Sequence, residues 1–192
     1  MMKSVLIAIR PQGVEKIAKG EKTIEVRKTA PQEVPFKAYI YCSKEKKQDD
    51  IIWAGAFGDR GKWNGHVIGE FICDKVEMVN AKCSDYGIDL FYHDCLTNGC
   101  LTEREIEKYF NVPEDRDLRA MKGNGYVWNI SDLKIYDKPR ELSEFSRPCS
   151  YSGLCFSCKR TSFKKDGNLL CNTKITRPPQ SWMYVEDLGE EE

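Results

Sequence analysis

The sequence has no long hydrophobic run, no excess of charge and only two histidines. Its first apolar run, residues 5–9, ends at Arg10 and is far shorter than the ~20 residues that a membrane span needs. The run is also too short for a signal peptide, so we expect a cytoplasmic protein. The 30 basic and 30 acidic residues cancel, which argues against a protein that coats nucleic acid by bulk attraction.

The 192 residues fit one domain of ordinary size, or a domain with a small appendage. Nine cysteines are scattered along the chain, and nine is an odd number. Such usage fits reduced thiols in the cytoplasm better than a disulfide framework.

Residues 11–19 have the pattern of a short helix. Val14, Ile17 and Ala18 fall at helical spacing, and Pro11 suits a first helical turn. Gly20 suits a helix end. The pattern therefore predicts a helix that stops at Gly20.

After Gly20 the hydrophobic period changes to two, which is typical of a strand with one buried face. Glu25 and Arg27 share the polar face of this strand, about 7 Å apart, and Lys22 lies at the turn before it. The common interpretation of such a pattern is a solvated surface ion pair. The alternative is a polar ligand site, in which a carboxylate acceptor lies beside guanidinium donors.

The spacing Gly-x-Lys-x-x-Glu-x-Arg at residues 20–27, preceded by the apolar run 5–9, resembles the ASCH family of the PUA-like superfamily. The resemblance implies an α+β fold, a small mixed β-barrel flanked by short helices, over residues 1–145. Residues 36–42, 67–71 and 126–130 lie where such barrels place later strands. The resemblance also implies a cleft lined by Lys22, Glu25 and Arg27.

A second helix is predicted at residues 101–110. Thr102 and Glu105 form a capping box ahead of apolar positions. We expect this helix to pack on the barrel without a catalytic contribution. Glu70, inside the strand pattern that starts at residue 67, is a second carboxylate that is a candidate for the cleft.

Residues 146–185 form a cysteine-rich extension. Four cysteines with the spacing C-x5-C-x2-C-x12-C are candidate ligands of a structural zinc ion: Cys149, Cys155, Cys158 and Cys171. Reduced buried cysteines or an oxidised pair are the alternatives, and Cys95 with Cys100 is another candidate pair. Residues 147–177 also contain seven basic side chains against one acid.

The last part of the chain divides into two segments. Residues 177–185 contain aromatic anchors, and we expect an extended segment that docks on the barrel. Residues 186–192 are acidic, and we expect them to be disordered.

The first functional hypothesis is binding of RNA or of a modified nucleoside or nucleotide. Lys22 and Arg27 suit phosphates or base edges, and Glu25 suits an exocyclic amine. Arg10 is a further donor. Trp128 is the candidate stacking face, and the alternative for this residue is a buried core tryptophan.

The second hypothesis is an amidohydrolase that acts on an acetylated cytidine. Some bacterial ASCH proteins resemble such enzymes, which use a threonine activated by the motif lysine, together with a glutamate. Here Glu25 occupies the threonine's position, so Lys22, Thr23 and Glu70 would have to form the catalytic set. A third hypothesis is an accessory protein without catalytic activity.

Overall fold

The computed structural model describes residues 2–44, 63–80, 88–112, 124–149 and 173–189, together with the backbone of 161–163 and 169–171. In chain order its helices and strands are β1 (Lys3–Ile9), α1 (Pro11–Ala18), β2 (Ile24–Arg27), β3 (Phe36–Cys42), β4 (Val67–Cys73), β5 (Val76–Asn80), α2 (Ile88–Leu96), α3 (Glu103–Phe110), β6 (Asn124–Asn129), β7 (Ser131–Arg140), β8 (Thr161–Phe163), β9 (Leu169–Cys171) and β10 (Trp182–Val185). None of the helices in these residues has the length and apolar character that a membrane crossing requires.

Five strands form the larger sheet, in the order β10-β1-β3-β4-β7. The pair β1–β3 is parallel, and the other neighbours are antiparallel. Strand β1 is a continuous apolar run because it lies inside this sheet and is covered on both faces. Val5 and Ile7 pack into the core on one face, and Leu6 packs into the core on the other.

The smaller sheet has the order β2-β6-β5. In the described residues no strand pair joins it to the larger sheet, so the barrel that the resemblance implied is not closed. Within the part of the chain that the structure describes, both edge strands of the smaller sheet, β2 and β5, pair with β6 alone. The α+β class is confirmed, whereas the closed barrel is a wrong expectation.

Helix α1 and its end agree with the sequence pattern. Val14 and Ile17 are fully buried against the larger sheet. Gly20 adopts a φ of +74°, in the left-handed region that favours glycine at helix ends. The prediction of a helix that stops at this glycine is therefore confirmed.

Both faces of β2 are buried, so of the two interpretations of its polar face the solvated ion pair does not fit the structure. Ile24 and Val26 pack against α2 and α3 in a core of their own. Because side chains alternate along a strand, Glu25 and Arg27 point to the opposite face, between the two sheets. The polar residues of the motif therefore lie inside the molecule.

The C-terminal segment contributes a strand to the larger sheet, and the division at residue 146 stays a prediction. Strand β10 pairs with β1 at the edge of the larger sheet, which confirms the predicted docking of an extended segment. Of the acidic tail, for which disorder is predicted, residues 186–189 are described and residues 190–192 lie outside the described residues. Asp187 accepts hydrogen bonds from Tyr39 and Lys37, because the sheet places these two donors beside the chain end.

Candidate functional site

A cleft of about 980 Å³ opens where the two sheets separate. One side of the cleft is α1 and β2, and a second side is α3 with the turn that follows α2. Residues 176 and 178–180, between β9 and β10, form part of a third side. Segments far apart in sequence thus converge on one concave surface.

Lys22, Glu25 and Arg27 converge in this cleft. The Glu25 carboxylate lies between the two cations, 3.2 Å from Lys22 Nζ and 3.0 Å from an Arg27 guanidinium nitrogen. The three residues are 5%, 6% and 9% exposed. The motif is therefore a buried ionic cluster rather than a solvated ion pair. Each buried charge in it is compensated by the opposite charge beside it.

Backbone carbonyls hold both cations in place. Lys22 Nζ donates to the carbonyl of Gly99 at 2.7 Å, and Arg27 donates to the carbonyl of Ala8 at 2.6 Å. Glu25 Oε2 nevertheless has no hydrogen-bond partner among the described residues, because the Lys22 ammonium lies near it outside hydrogen-bond geometry. The cluster thus contains an unsatisfied acceptor, a feature that native structures seldom leave unexplained.

Helix α3 contributes to the cleft, whereas the sequence predicted only that it packs on the barrel without a catalytic contribution. Glu105, Lys108 and Tyr109 line the cleft. Lys28 lies over the Tyr109 ring, 5.0 Å from the centroid, and burial raises the pKa of Tyr109 while the nearby Arg27 opposes that rise. The capping box at Thr102 predicted the helix, but it does not indicate which face of the helix meets the motif.

The turn after α2 braces the motif. The Asn98 carbonyl accepts hydrogen bonds from the N–H groups of Thr23 and Ile24, and the Cys100 carbonyl accepts one from Lys16 Nζ at 3.0 Å. Backbone acceptors at a helix C-terminus favour cations. The turn therefore fixes the positions of the Lys16 and Lys22 side chains in the cleft. The sequence did not predict this turn, because it did not predict α2.

The described lining of the cleft has more positive than negative charge. Its basic residues are Arg10, Lys16, Lys22, Arg27, Lys28, Lys44 and Lys108, and its acidic residues are Glu25, Glu105 and Glu141. Each acid already has a partner. Glu25 pairs with the motif cations, Glu105 accepts the Thr102 capping bonds, and Glu141 lies 3.1 Å from His66 Nε2. The net charge of zero for the whole chain therefore conceals a basic cleft.

Of the other predicted ligand-binding residues, Arg10 lines the cleft and is exposed, whereas Trp128 does not line it. Trp128 lies opposite Glu25 in the β2–β6 register, but its side chain is fully buried. Its ring packs edge-on against Phe36 and Trp182, at centroid distances of 5.1 and 5.8 Å. Core packing thus occupies the ring that the sequence analysis assigned to ligand stacking.

The residues of the hydrolase hypothesis do not come together. Thr23 is exposed and lies outside the cleft lining, although Lys22 is inside it. Glu70 also lies outside the lining and accepts a hydrogen bond from Tyr136 on β7, with Lys37 4.0 Å away. Strand β4 directs Glu70 to this separate polar cluster because β4 belongs to the larger sheet.

The four cysteines of the predicted zinc site are only partly described. Cys149 is exposed, and the backbone of Cys171 pairs with that of Thr161 in the β8–β9 hairpin. Cys155 and Cys158 lie outside the described residues. Within the described residues no group of three or more histidine, cysteine, aspartate or glutamate side chains is arranged to hold a metal ion. The zinc site stays a prediction.

Metal analysis tests the zinc prediction directly. We expect protein purified without added zinc to contain about one equivalent of the metal, because four thiolates satisfy its tetrahedral preference. We expect Cys158→Ser to lose the metal, and Cys95→Ser, which changes a buried thiol of the α2 core, to keep it. Burial raises the pKa of Cys95 to about 12, so that thiol is protonated at neutral pH. Far less than one equivalent in the wild-type protein would contradict the site.

The fold and the cleft define an α+β domain of two sheets with a charged cleft at their open edge. No protein-family model matches the sequence, and no curated protein matches it significantly. A crystal structure of an ASCH protein from Zymomonas mobilis superposes with a TM-score of 0.54 and 15% identity, over 96% of this chain and 88% of that chain. Two mutants of that protein give TM-scores of 0.55 and 0.52 at 14% identity, over 96% of this chain and 89% and 91% of theirs. The chain thus has the fold of the ASCH proteins, which confirms the resemblance at the level of fold.

Proposed function

We propose that the protein binds one nucleotide unit of RNA, or a modified nucleoside or nucleotide, in the cleft. The observation that carries the proposal is the buried cluster of Lys22, Glu25 and Arg27, which faces a cavity of about 980 Å³. A cavity of this size is in the range of small-molecule and cofactor sites. Cations and one carboxylate in a concave site suit a ligand that carries both acceptors and a donor.

The donors and acceptors of the cluster match the polar groups of a nucleotide. Lys22 and Arg27 are donors for phosphate oxygens or for carbonyl groups on a base edge. Glu25 Oε2, which lacks a hydrogen-bond partner in the described residues, is an acceptor for an exocyclic amine. A bound nucleotide would therefore supply the hydrogen bond that the protein alone leaves unmade.

Tyr41 and Tyr109 both line the cleft, and Tyr109, the less buried of the two, supports base stacking there. It lines the cleft, is half-buried, and lies beside Arg27 and Lys28. Single-stranded RNA is commonly recognised by bases that stack on aromatic rings next to cations. Tyr109 therefore takes the stacking role that the sequence analysis gave to Trp128.

No observation favours the amidohydrolase alternative, because Thr23 and Glu70 lie outside the cleft lining. The basic lining supports a binding role instead. Positive potential in a cleft attracts nucleic acid locally, even in a protein without net charge. The resemblance to ASCH proteins, which implies recognition of RNA or of modified bases, agrees with this function.

Charge reversal at the cleft tests the proposal. We expect Lys108→Glu, at an exposed position of the cleft, to weaken binding of single-stranded RNA by at least about tenfold, because it removes an attraction and adds a repulsion. Lys138→Glu makes the same charge change at an exposed site outside the cleft, and we expect little effect. Fluorescence anisotropy with labelled RNA measures both affinities.

A double variant extends this test to the buried cluster. We expect Lys22→Ala/Arg27→Ala to lose binding of RNA and of a panel of modified nucleosides, with circular dichroism used to verify that the variant is folded. The proposal fails if the wild-type protein and the double variant bind every ligand equally weakly. It also fails if Lys108→Glu and Lys138→Glu have equal effects on RNA affinity.

A further inference from the structure

The N-terminus of α1 opens into the cleft. Gln12 and Gly13, in the first turn of the helix, both line the cleft. The first intrahelical hydrogen bond runs from the Val14 N–H to the Arg10 carbonyl at 3.0 Å, so the N–H groups of Gln12 and Gly13 precede the bonded part of the helix. Pro11 has no N–H group. Two backbone donors therefore lie at the cleft end of the helix.

This helix end lacks the usual negative partner. Arg10 occupies the N-cap position and makes no side-chain capping bond, and the first turn contains no acidic residue. Most helices place a serine, threonine, aspartate or asparagine at the N-cap to satisfy these donors. The positive end of the α1 dipole thus has no anion supplied by its own first turn.

Arg27 is a second, independent observation at the same place. It is 9% exposed, lines the cleft, and its buried Nε has no hydrogen-bond partner among the described residues. It donates to the carbonyl of Ala8, two residues before Arg10. A terminal guanidinium nitrogen pairs with Glu25 and with the Ala8 carbonyl, but the Nε–H donor calls for a ligand or a bound solvent molecule as its partner.

Two further cations of this part of the cleft have no carboxylate partner among the described residues. Arg10 and Lys44 line the cleft, and neither has a carboxylate within 4 Å in the part of the chain that the structure describes. Glu105, the acidic residue that acts on Arg10 electrostatically, accepts the Thr102 capping bonds at 2.8 and 2.9 Å. The local charge at the start of α1 is therefore positive.

We propose that the N-terminus of α1, with Arg10 and Arg27, is a phosphate subsite of the cleft. The inference rests on the proposed function, and it specifies the ligand as phosphorylated: a nucleotide or a nucleic-acid strand rather than a free nucleoside. Backbone N–H groups at a helix start and a guanidinium fork are complementary to phosphate oxygens. Glu25 then contacts the base side of the same ligand.

The subsite predicts a preference between related small ligands. Cytidine has the exocyclic amine that suits Glu25, and cytidine 5′- and 3′-monophosphates add only a phosphate. We expect at least one monophosphate to bind at least about tenfold more tightly than cytidine, which is the effect of one or two charge-assisted hydrogen bonds. Isothermal titration calorimetry at a fixed ionic strength measures the three affinities.

Inorganic phosphate probes the subsite without any base. In ¹⁵N-labelled wild-type protein, we expect the amide resonances of Gln12 and Gly13 to shift in a saturable manner as phosphate is added. Sodium chloride at matched ionic strength should not reproduce the shift. Resonances of α3 outside the cleft, such as that of Arg104, should stay unchanged.

Substitutions at the exposed residue Gln12 separate this inference from a structural role. A carboxylate in the first turn stabilises a helix through its dipole, so Gln12→Glu should keep or raise stability while it competes with phosphate and weakens binding by about tenfold. Gln12→Lys should strengthen phosphate binding. The matched control, Gln32→Glu, makes the same change at an exposed site outside the cleft. It should alter neither the stability of the protein nor its phosphate binding.

The outcomes distinguish the subsite from the function it rests on. If RNA binds but phosphate does not shift the α1 amides and Gln12→Glu binds RNA like Gln32→Glu, the subsite is wrong and nucleic-acid binding stands. If phosphate shifts those amides but no RNA binds, the proposed function is wrong and the anion site stands. Equal affinities for cytidine and both monophosphates would overturn the subsite.

Discussion

Glu25→Ala is expected to lower the free energy of unfolding by about 3–5 kcal/mol, the range for removal of one partner from a buried ion pair. The reason is that Lys22 and Arg27 are both more than nine-tenths buried and would lose the carboxylate that lies about 3 Å from each. Two uncompensated cations would then remain near each other, where water does not screen them well. Chemical denaturation followed by circular dichroism measures the loss.

Two variants serve as controls for this prediction. Glu25→Gln keeps the size and an acceptor oxygen, so we expect a smaller loss than for alanine. Glu15→Ala removes a carboxylate from a solvent-exposed pair with Lys19, and such pairs contribute less than about 1 kcal/mol. If Glu25→Ala destabilises the protein no more than Glu15→Ala does, the three motif residues are not an electrostatically coupled unit.

Local sequence patterns predicted the elements that depend on local physics. The extent of α1 follows from its hydrophobic period, from Pro11 and from Gly20, and each of these signals acts within a few residues. The capping box at Thr102 predicted the start of α3 for the same reason. The structure therefore agrees closely with the predictions that rest on such local signals.

The burial of the motif was not predictable from its period. An alternating strand indicates two different faces, but the alternation itself does not distinguish a polar face in water from a polar face inside a cleft. In the structure that face meets the gap between the sheets, because Ile24 and Val26 are covered by α2 and α3 instead. Which face of a strand is internal depends on the elements that pack against it, and α2 was not predicted.

Site residues from other segments were missed for a related reason. Tyr109 reaches Arg27 across 82 positions of sequence, and Gly99 reaches Lys22 across 77. Spacing patterns in a sequence relate residues that are only a few positions apart, so they do not predict contacts such as these. The motif identified one side of the cleft, and only the tertiary packing identifies the others.

Trp128→Ala is expected to lower the free energy of unfolding by about 3–5 kcal/mol, the usual loss for a large aromatic residue removed from a core. Trp128 is fully buried between Phe36 and Trp182, so truncation leaves a cavity that the two sheets cannot readily close. We expect the folded fraction of this variant to bind RNA within about twofold of wild type, because the ring does not line the cleft. Denaturation curves and anisotropy at low temperature measure the two effects separately.

Tyr109→Ala provides the opposite case. Tyr109 lines the cleft and is half-buried, so we expect this variant to lose RNA affinity by about tenfold, the effect of one lost base–aromatic stack. Trp128→Phe, which retains an aromatic ring in the core, should recover much of the stability lost in Trp128→Ala. If Trp128→Ala instead keeps its stability and loses RNA binding, the ring contacts the ligand and the core role of Trp128 is wrong.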